Sequence, residues 1–130
     1  MSNIQVVCVG VITVDTVALV DKYPAADERV LAEAIVRNSG GPATVAAIAL
    51  ARLGIKSAIV GTVGDDEDGW LALDTLKREG VEVFGVNVSE SPTSGSVIVA
   101  SKSQSTRAIS TRQPINQMAP NDHAKKLAAS

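Results

Sequence analysis

Gly40-Gly41-Pro42-Ala43-Thr44-Val45-Ala46-Ala47-Ile48-Ala49-Leu50-Ala51-Arg52-Leu53-Gly54 is the stretch from which the rest of the chain is read. The two glycines free the backbone from Cβ restrictions and let it approach another group closely. Pro42 suits a first helical position, where the missing N–H removes no bond. The alanine-rich body favours a helix whose small side chains pack closely on a sheet, and Gly54 is the expected stop just past its end. The spacing therefore predicts a loop that turns into a buried helix. A helix start with bare N–H groups is also a ready polar site for a ligand. Taken alone, a purely structural helix with a glycine turn accounts for the same residues.

On the amino-terminal side, Ile4-Gln5-Val6-Val7-Cys8-Val9-Gly10-Val11-Ile12 is a near-continuous apolar run rich in β-branched residues. It reads as a strand buried on both faces of a parallel sheet. Thr13-Val14-Asp15 falls at or just past its end, where ligands bind in open parallel sheets. Asp15 is placed there to accept hydrogen bonds from ligand hydroxyls, although a solvated strand-end Asp is the simpler reading. Residues 16–20 and 29–37 read as two extended segments separated by a polar turn. Leu31, Glu33, Ile35 and Arg37 alternate, which suits a partly exposed sheet distinct from the central one.

On the carboxyl side, residues 55–61 predict a short buried strand. Asp65 or Asp66 caps a helix from about Glu67, whose positive end favours acids. Trp70, Leu71, Leu73 and Leu76 are spaced for one apolar face, and Gly80 stops the helix before a new strand at Val81. Helix, glycine and strand thus recur, which is βαβ grammar. A cap explains the paired acids without a metal. Residues 95–100 and 107–111 predict a hairpin joined by the loop 101–106, able to form a small separate sheet with residues 29–37. Arg107 and Arg112 are the basic residues that could meet a phosphate bidentately. Pro114 to Pro120 reads as a loop. Asn121 or Asp122 caps a last helix carrying His123, Lys125, Lys126 and Leu127, which has little apolar face and nothing obvious to pack on. That ending predicts a piece of a longer chain.

Composition bounds the function. The chain has 130 residues, 45% apolar but only 2% aromatic, so its core must be aliphatic, as in helices packed on a sheet. A net charge of −2 gives no electrostatic case for nucleic acid or an anionic membrane. One cysteine, Cys8, excludes an internal disulfide and a cysteine metal cluster. No apolar run reaches membrane-spanning length and no signal peptide precedes the first strand, so a cytoplasmic setting is expected.

Gly10-Val11-Ile12-Thr13-Val14-Asp15, the stretch from Gly40 to Gly54, Val63-Gly64-Asp65-Asp66-Glu67-Asp68-Gly69 and Lys77-Arg78-Glu79-Gly80-Val81 occur in an order and spacing that resemble the amino-terminal half of ribokinase-like (PfkB) carbohydrate kinases. The Gly-Gly-Pro-Ala opening looks nearest to the sulfofructose kinase and ketohexokinase branch. The resemblance implies an α/β fold, part of a doubly wound α/β/α domain, with a small β-sheet lid formed by segments at about 13–38 and 95–112. Residues 1–130 would be the amino-terminal portion of one such domain, with the carboxyl-terminal half absent. The implied activity is transfer of the ATP γ-phosphate, with Mg²⁺, to a sugar hydroxyl. Asp15 and Thr13 would contact the sugar, Gly40 and Gly41 would bring backbone N–H groups to it, and Arg107 would face the nucleotide phosphates. No catalytic residue and no metal ligand falls within these residues. ATP and Mg²⁺ would be held mainly by the other half, and the chain alone would be inactive. The resemblance also implies a homodimer through the lid.

The chain departs from the family pattern at Thr13 and Val45, where Asn is usual, and Pro42 removes one backbone donor. These departures put ribose in doubt and raise an alternative, a non-catalytic sugar or nucleoside sensor. A dinucleotide-binding module would need a Gly-x-Gly-x-x-Gly turn after the first strand, where the sequence reads Gly10-Val11-Ile12-Thr13.

Overall fold

The structure, a computed structural model, describes residues 3–112 and 121–129. The loop expected over residues 114–120 and the side chain of His123 lie outside the described residues. The elements in chain order are β1 (Val6–Val9), β2 (Thr13–Val20), β3 (Ala34–Gly40), α1 (Pro42–Arg52), β4 (Ser57–Gly64), α2 (Glu67–Arg78), β5 (Glu82–Ser89), β6 (Ser94–Ser101), β7 (Thr106–Thr111) and α3 (Asp122–Ala129).

They build two sheets. The first has the order β1-β4-β5 and is parallel throughout; the second has the order β3-β2-β6-β7. In the second, β2 runs parallel to β6 and antiparallel to β3, and β6 and β7 form a hairpin. The separate small sheet expected from residues 29–37 and the hairpin is therefore present, with β2 inserted between β3 and β6. Its segment over residues 29–37 starts later than expected, at Ala34, and runs on to Gly40.

A core of Ile12, Ala43, Ala47, Ile59, Val63, Ala72, Leu73 and Leu76 joins α1, β4 and α2. β4, in the middle of its sheet, is buried along its whole length. This corrects the reading of the first strand: β1 pairs only with β4 among the described residues, and Val6 and Val9 are 37% and 57% exposed. The sheet's dry central position belongs to β4.

Both helices end as their glycines predict, with Gly54 and Gly80 at φ +83°. In α2 the buried stripe is Gly69, Ala72, Leu73 and Leu76, at helical spacing. Trp70 lies one residue, roughly 100°, around from Gly69, and is 55% exposed rather than part of the apolar face. In α1 the sheet-facing stripe is Ala43, Thr44 and Ala47, which leaves Val45 61% exposed. The last helix does have a support: α3 lies along β5, and the Asn121 side-chain amide donates to the Phe84 carbonyl at 3.1 Å.

Candidate functional site

The site begins where β1 ends and the link 10–12 delivers the chain into β2. Thr13 and Asp15 are two residues apart on one strand, so they share a face. Their register partners are Gly40 and Asn38 on β3 and Ser94 and Ser96 on β6. Thr13 Oγ1 donates to Asp15 Oδ2 at 3.2 Å. A Cβ on Gly40 would stand 2.6 Å from that Oδ2 and 3.1 Å from Thr13 Oγ1, so only glycine lets β3 lie this close to the carboxylate. Asp15 Oδ1 is buried and has no hydrogen-bond partner. Burying a carboxylate oxygen without a donor is costly, and a hydroxyl donated by a bound molecule would remove that cost.

The turn into α1 lies on the same ground. Gly41 caps the helix at φ +97° with no side-chain cap, and its carbonyl accepts the Val45 N–H at 3.0 Å. A Cβ there would run into the Val11 carbonyl oxygen, so only glycine lets the turn sit against the 10–12 link. With Pro42 at the first position, the Ala43 and Thr44 N–H groups open the helix without intrahelical acceptors. Both residues are buried, and Thr44 Oγ1 is itself buried without a partner. Thr13, Asp15, Gly40 and Gly41 are thus brought together, and buried oxygens on Asp15, Ser39 and Thr44 in these segments have no hydrogen-bond partner.

A second polar node ties the two sheets. Asp66, at the N-cap of α2, accepts the Gly69 N–H at 2.8 Å and the Thr93 hydroxyl at 2.6 Å on Oδ1, and the Thr93 N–H at 2.9 Å on Oδ2. Thr93 Oγ1 in turn accepts the Gly64 N–H at 2.8 Å. Partial burial pushes the Asp66 carboxyl up, but the Thr93 and Gly69 hydrogen bonds and the Arg112 charge outweigh it and hold the group below its ordinary value. Arg112 also donates to the Thr93 carbonyl at 3.1 Å, and Arg37 on β3 pairs with Asp68 on α2. The α2 start therefore holds β3, the entry to β6 and the exit from β7.

Neither arginine singled out in the sequence joins Asp15. Arg107 pairs with Ala100 and stands in register with Leu19, on the face of Asp15 but four residues along β2. Four residues is roughly 13 Å of strand. Arg112 is committed to Thr93 and Asp66. Among the described residues no group of three or more His, Cys, Asp or Glu side chains could hold a metal ion. Arg107 is exposed on β7. Burial raises the Cys8 thiol above its ordinary value, as expected of an inert cysteine.

Sequence reading missed Thr93, Ser96 and Thr111. Their signal is weak: Ser94 and Ser96 alternate along a strand, but only the pairing of β2 with β6 shows which neighbours they meet.

Across residues 3–130 the chain matches the profile of the pfkB family of carbohydrate kinases, and it belongs to that family. It is 34% identical over 87 residues to an ATP-dependent ribose-1-phosphate kinase of Halopiger xanaduensis, covering 67% of this chain and 29% of the relative. It is 44% identical over 71 residues to a fructokinase of Solanum tuberosum, covering 53% and 22%. Among solved structures, the ribokinase of Arabidopsis thaliana complexed with ribose and ATP superposes with a TM-score of 0.68 at 25% identity, covering 82% of this chain and 35% of that one. The chain spans less than a third of the length of these two curated relatives. Its mixed α/β architecture is that of the ribokinase-like fold. Among the described residues no helix is long and apolar enough to cross a membrane.

Proposed function

We propose that this chain forms the sugar-binding side of an ATP-dependent carbohydrate kinase. The observation that carries the reading is the unpartnered, buried Asp15 Oδ1 on a carboxylate held close against Gly40. Asp15 accepts one or two sugar hydroxyls, Thr13 fixes the carboxylate, and the Gly41 turn presents the first N–H groups of α1. The catalytic base and most of the groups that hold ATP and Mg²⁺ belong to the carboxyl-terminal half that the family resemblance implies, with Arg107 facing the nucleotide phosphates from this side, so the chain by itself is expected to bind and orient but not to transfer phosphate. The sugar is a pentose or ketohexose, free or phosphorylated. That range is supported by relatives named ribose-1-phosphate kinase and fructokinase, and the Gly-Gly-Pro-Ala opening keeps the ketohexokinase-like branch within it. The second sheet acts as the lid over this sugar. A homodimer through it draws support from Ile35 and Val97, exposed on the face away from Asp15.

The test is Asp15→Ala in the full-length protein. Loss of a hydrogen bond to a charged group is worth roughly 1.5–3 kcal/mol, so KM for the sugar should rise about 10- to 150-fold with a correct fold retained. An unchanged KM for every sugar phosphorylated removes Asp15 from the site. Sugar binding without any ATP turnover by the full-length protein would instead favour a sensor, the reading that Thr13 and Val45 at the usual Asn positions first raise.

A further inference from the structure

The register of the second sheet aligns four polar side chains in one row. Asp15 pairs with Asn38 on one side and Ser96 on the other, and Ser96 pairs with Thr111. Residues directly opposite in register share a face, so Asn38, Asp15, Ser96 and Thr111 run across all four strands on the side of the open carboxylate oxygen. The next row on that face is wholly apolar: Val36, Val17, Ile98 and Ile109. The row before it, Gly40, Thr13 and Ser94, is polar as well, and Arg107 stands in the row beyond the apolar one, so the line through Asp15 is the only row that carries a polar side chain on all four strands.

Within the line, Ser96 Oγ and Thr111 Oγ1 lie 3.1 Å apart. A hydroxyl pair uses one hydrogen between its members, which leaves the second hydrogen and the remaining lone pairs for another molecule. Neighbouring strands are about 4.8 Å apart, so the pair begins one strand spacing from Asp15 and ends at two. That is the width of a single sugar ring. Resting on the reading of Asp15 as a sugar-hydroxyl acceptor, we propose that Ser96 and Thr111 are specificity-determining residues, a second hydroxyl-recognition point that selects substrates with a free hydroxyl across the ring from the one Asp15 holds. The substrate class is then a polyhydroxylated sugar with hydroxyls on both flanks.

The experiment compares Ser96→Ala, Thr111→Val and Thr111→Ser with the wild type in the full-length protein. Calorimetric binding of D-ribose and D-fructose is measured, each beside its monodeoxy analogues, and thermal midpoints confirm folding. Losing one neutral hydrogen bond corresponds to a change of about threefold to tenfold. Ser96→Ala and Thr111→Val should each weaken the parent sugar by that factor, and Thr111→Ser should restore it. One deoxy analogue should bind the wild type and both hydroxyl-free variants equally. In turnover the change should fall on KM, with kcat held. Equal losses for the parent sugar and every deoxy analogue, or no loss at all, overturn the inference. If Asp15→Ala abolishes sugar binding while these variants do not alter it, only this inference fails. If the wild type binds neither these sugars nor their phosphates, the reading of Asp15 fails and this one with it.

Discussion

Thr93 has no charge and no place in any motif, yet its hydroxyl and N–H both meet Asp66 and its hydroxyl accepts the Gly64 N–H. Thr93→Val keeps the shape and removes those hydroxyl bonds, leaving a buried N–H at Gly64 and a carboxylate with one donor fewer. Unmet buried groups cost roughly 1–3 kcal/mol, and urea unfolding should show that loss at neutral pH. The sign of the pH effect follows from Asp66. Its carboxyl is held below the ordinary 3.8 in the folded state, so it stabilises the fold at pH above that value. The contribution is lost as the pH falls through the lower, folded-state value. Wild-type stability should drop below about pH 4 more steeply than that of Thr93→Val. Equal slopes would separate Asp66 from Thr93. Gly41 is the other position where one atom decides. At φ +97°, with the Val11 carbonyl where a Cβ would go, Gly41→Ala should destabilise by more than the roughly 1 kcal/mol of left-handed strain alone. A thermal midpoint within a degree of wild type would contradict the geometry.

Helix α2 shows how far periodicity carries at the level of an element. Spacing located the helix, its acidic cap and Gly80, because caps and stops are local chemistry. It misplaced Trp70, since Trp70, Leu73 and Leu76 fall close enough together to pass for one stripe, and only packing decides that small Gly69 and Ala72 face the sheet instead. The two outcomes are separable by mutation. Leu76→Ala empties a fully buried position and should cost about 2–5 kcal/mol. Trp70→Ala should cost less than about 1 kcal/mol, since most of its surface already faces water. Chemical denaturation of both variants checks the pair, and a Trp70 loss as large as that of Leu76 would restore the sequence assignment. The same logic corrects α1, where apolar residues all round the helix hide the narrow stripe of Ala43, Thr44 and Ala47.

Across the whole molecule, the legible part was whatever depends on neighbours in sequence: helices, glycine stops and the hairpin. Asp15 reads in the sequence as lying at or just past the end of the first strand, whereas that strand stops at Val9 and Asp15 stands inside β2. The juxtaposition of Gly40 with Asp15 followed from family resemblance rather than from pattern. The row through Ser96 and Thr111 was not readable, because it depends on β2 pairing with a strand some eighty positions later. The fully buried status of β4 and the half-open status of β1 were also invisible, since both runs are apolar and only strand order tells centre from edge.

That long-range pairing of β2 with β6 has a bearing on how the protein is made. A ribosome delivers β2 and β3 by Gly40, but β6 emerges only from Ser94 onward. The first sheet, by contrast, has all three of its strands by Ser89. Throughout synthesis of residues 41–93 the nascent hairpin carries an unpaired β2 edge, with Val17 still lacking its neighbour Ile98. Such an edge is a template for pairing with another chain. Chains stalled in that window are the ones expected to associate wrongly, and a chaperone that binds extended apolar strands would have its natural client there.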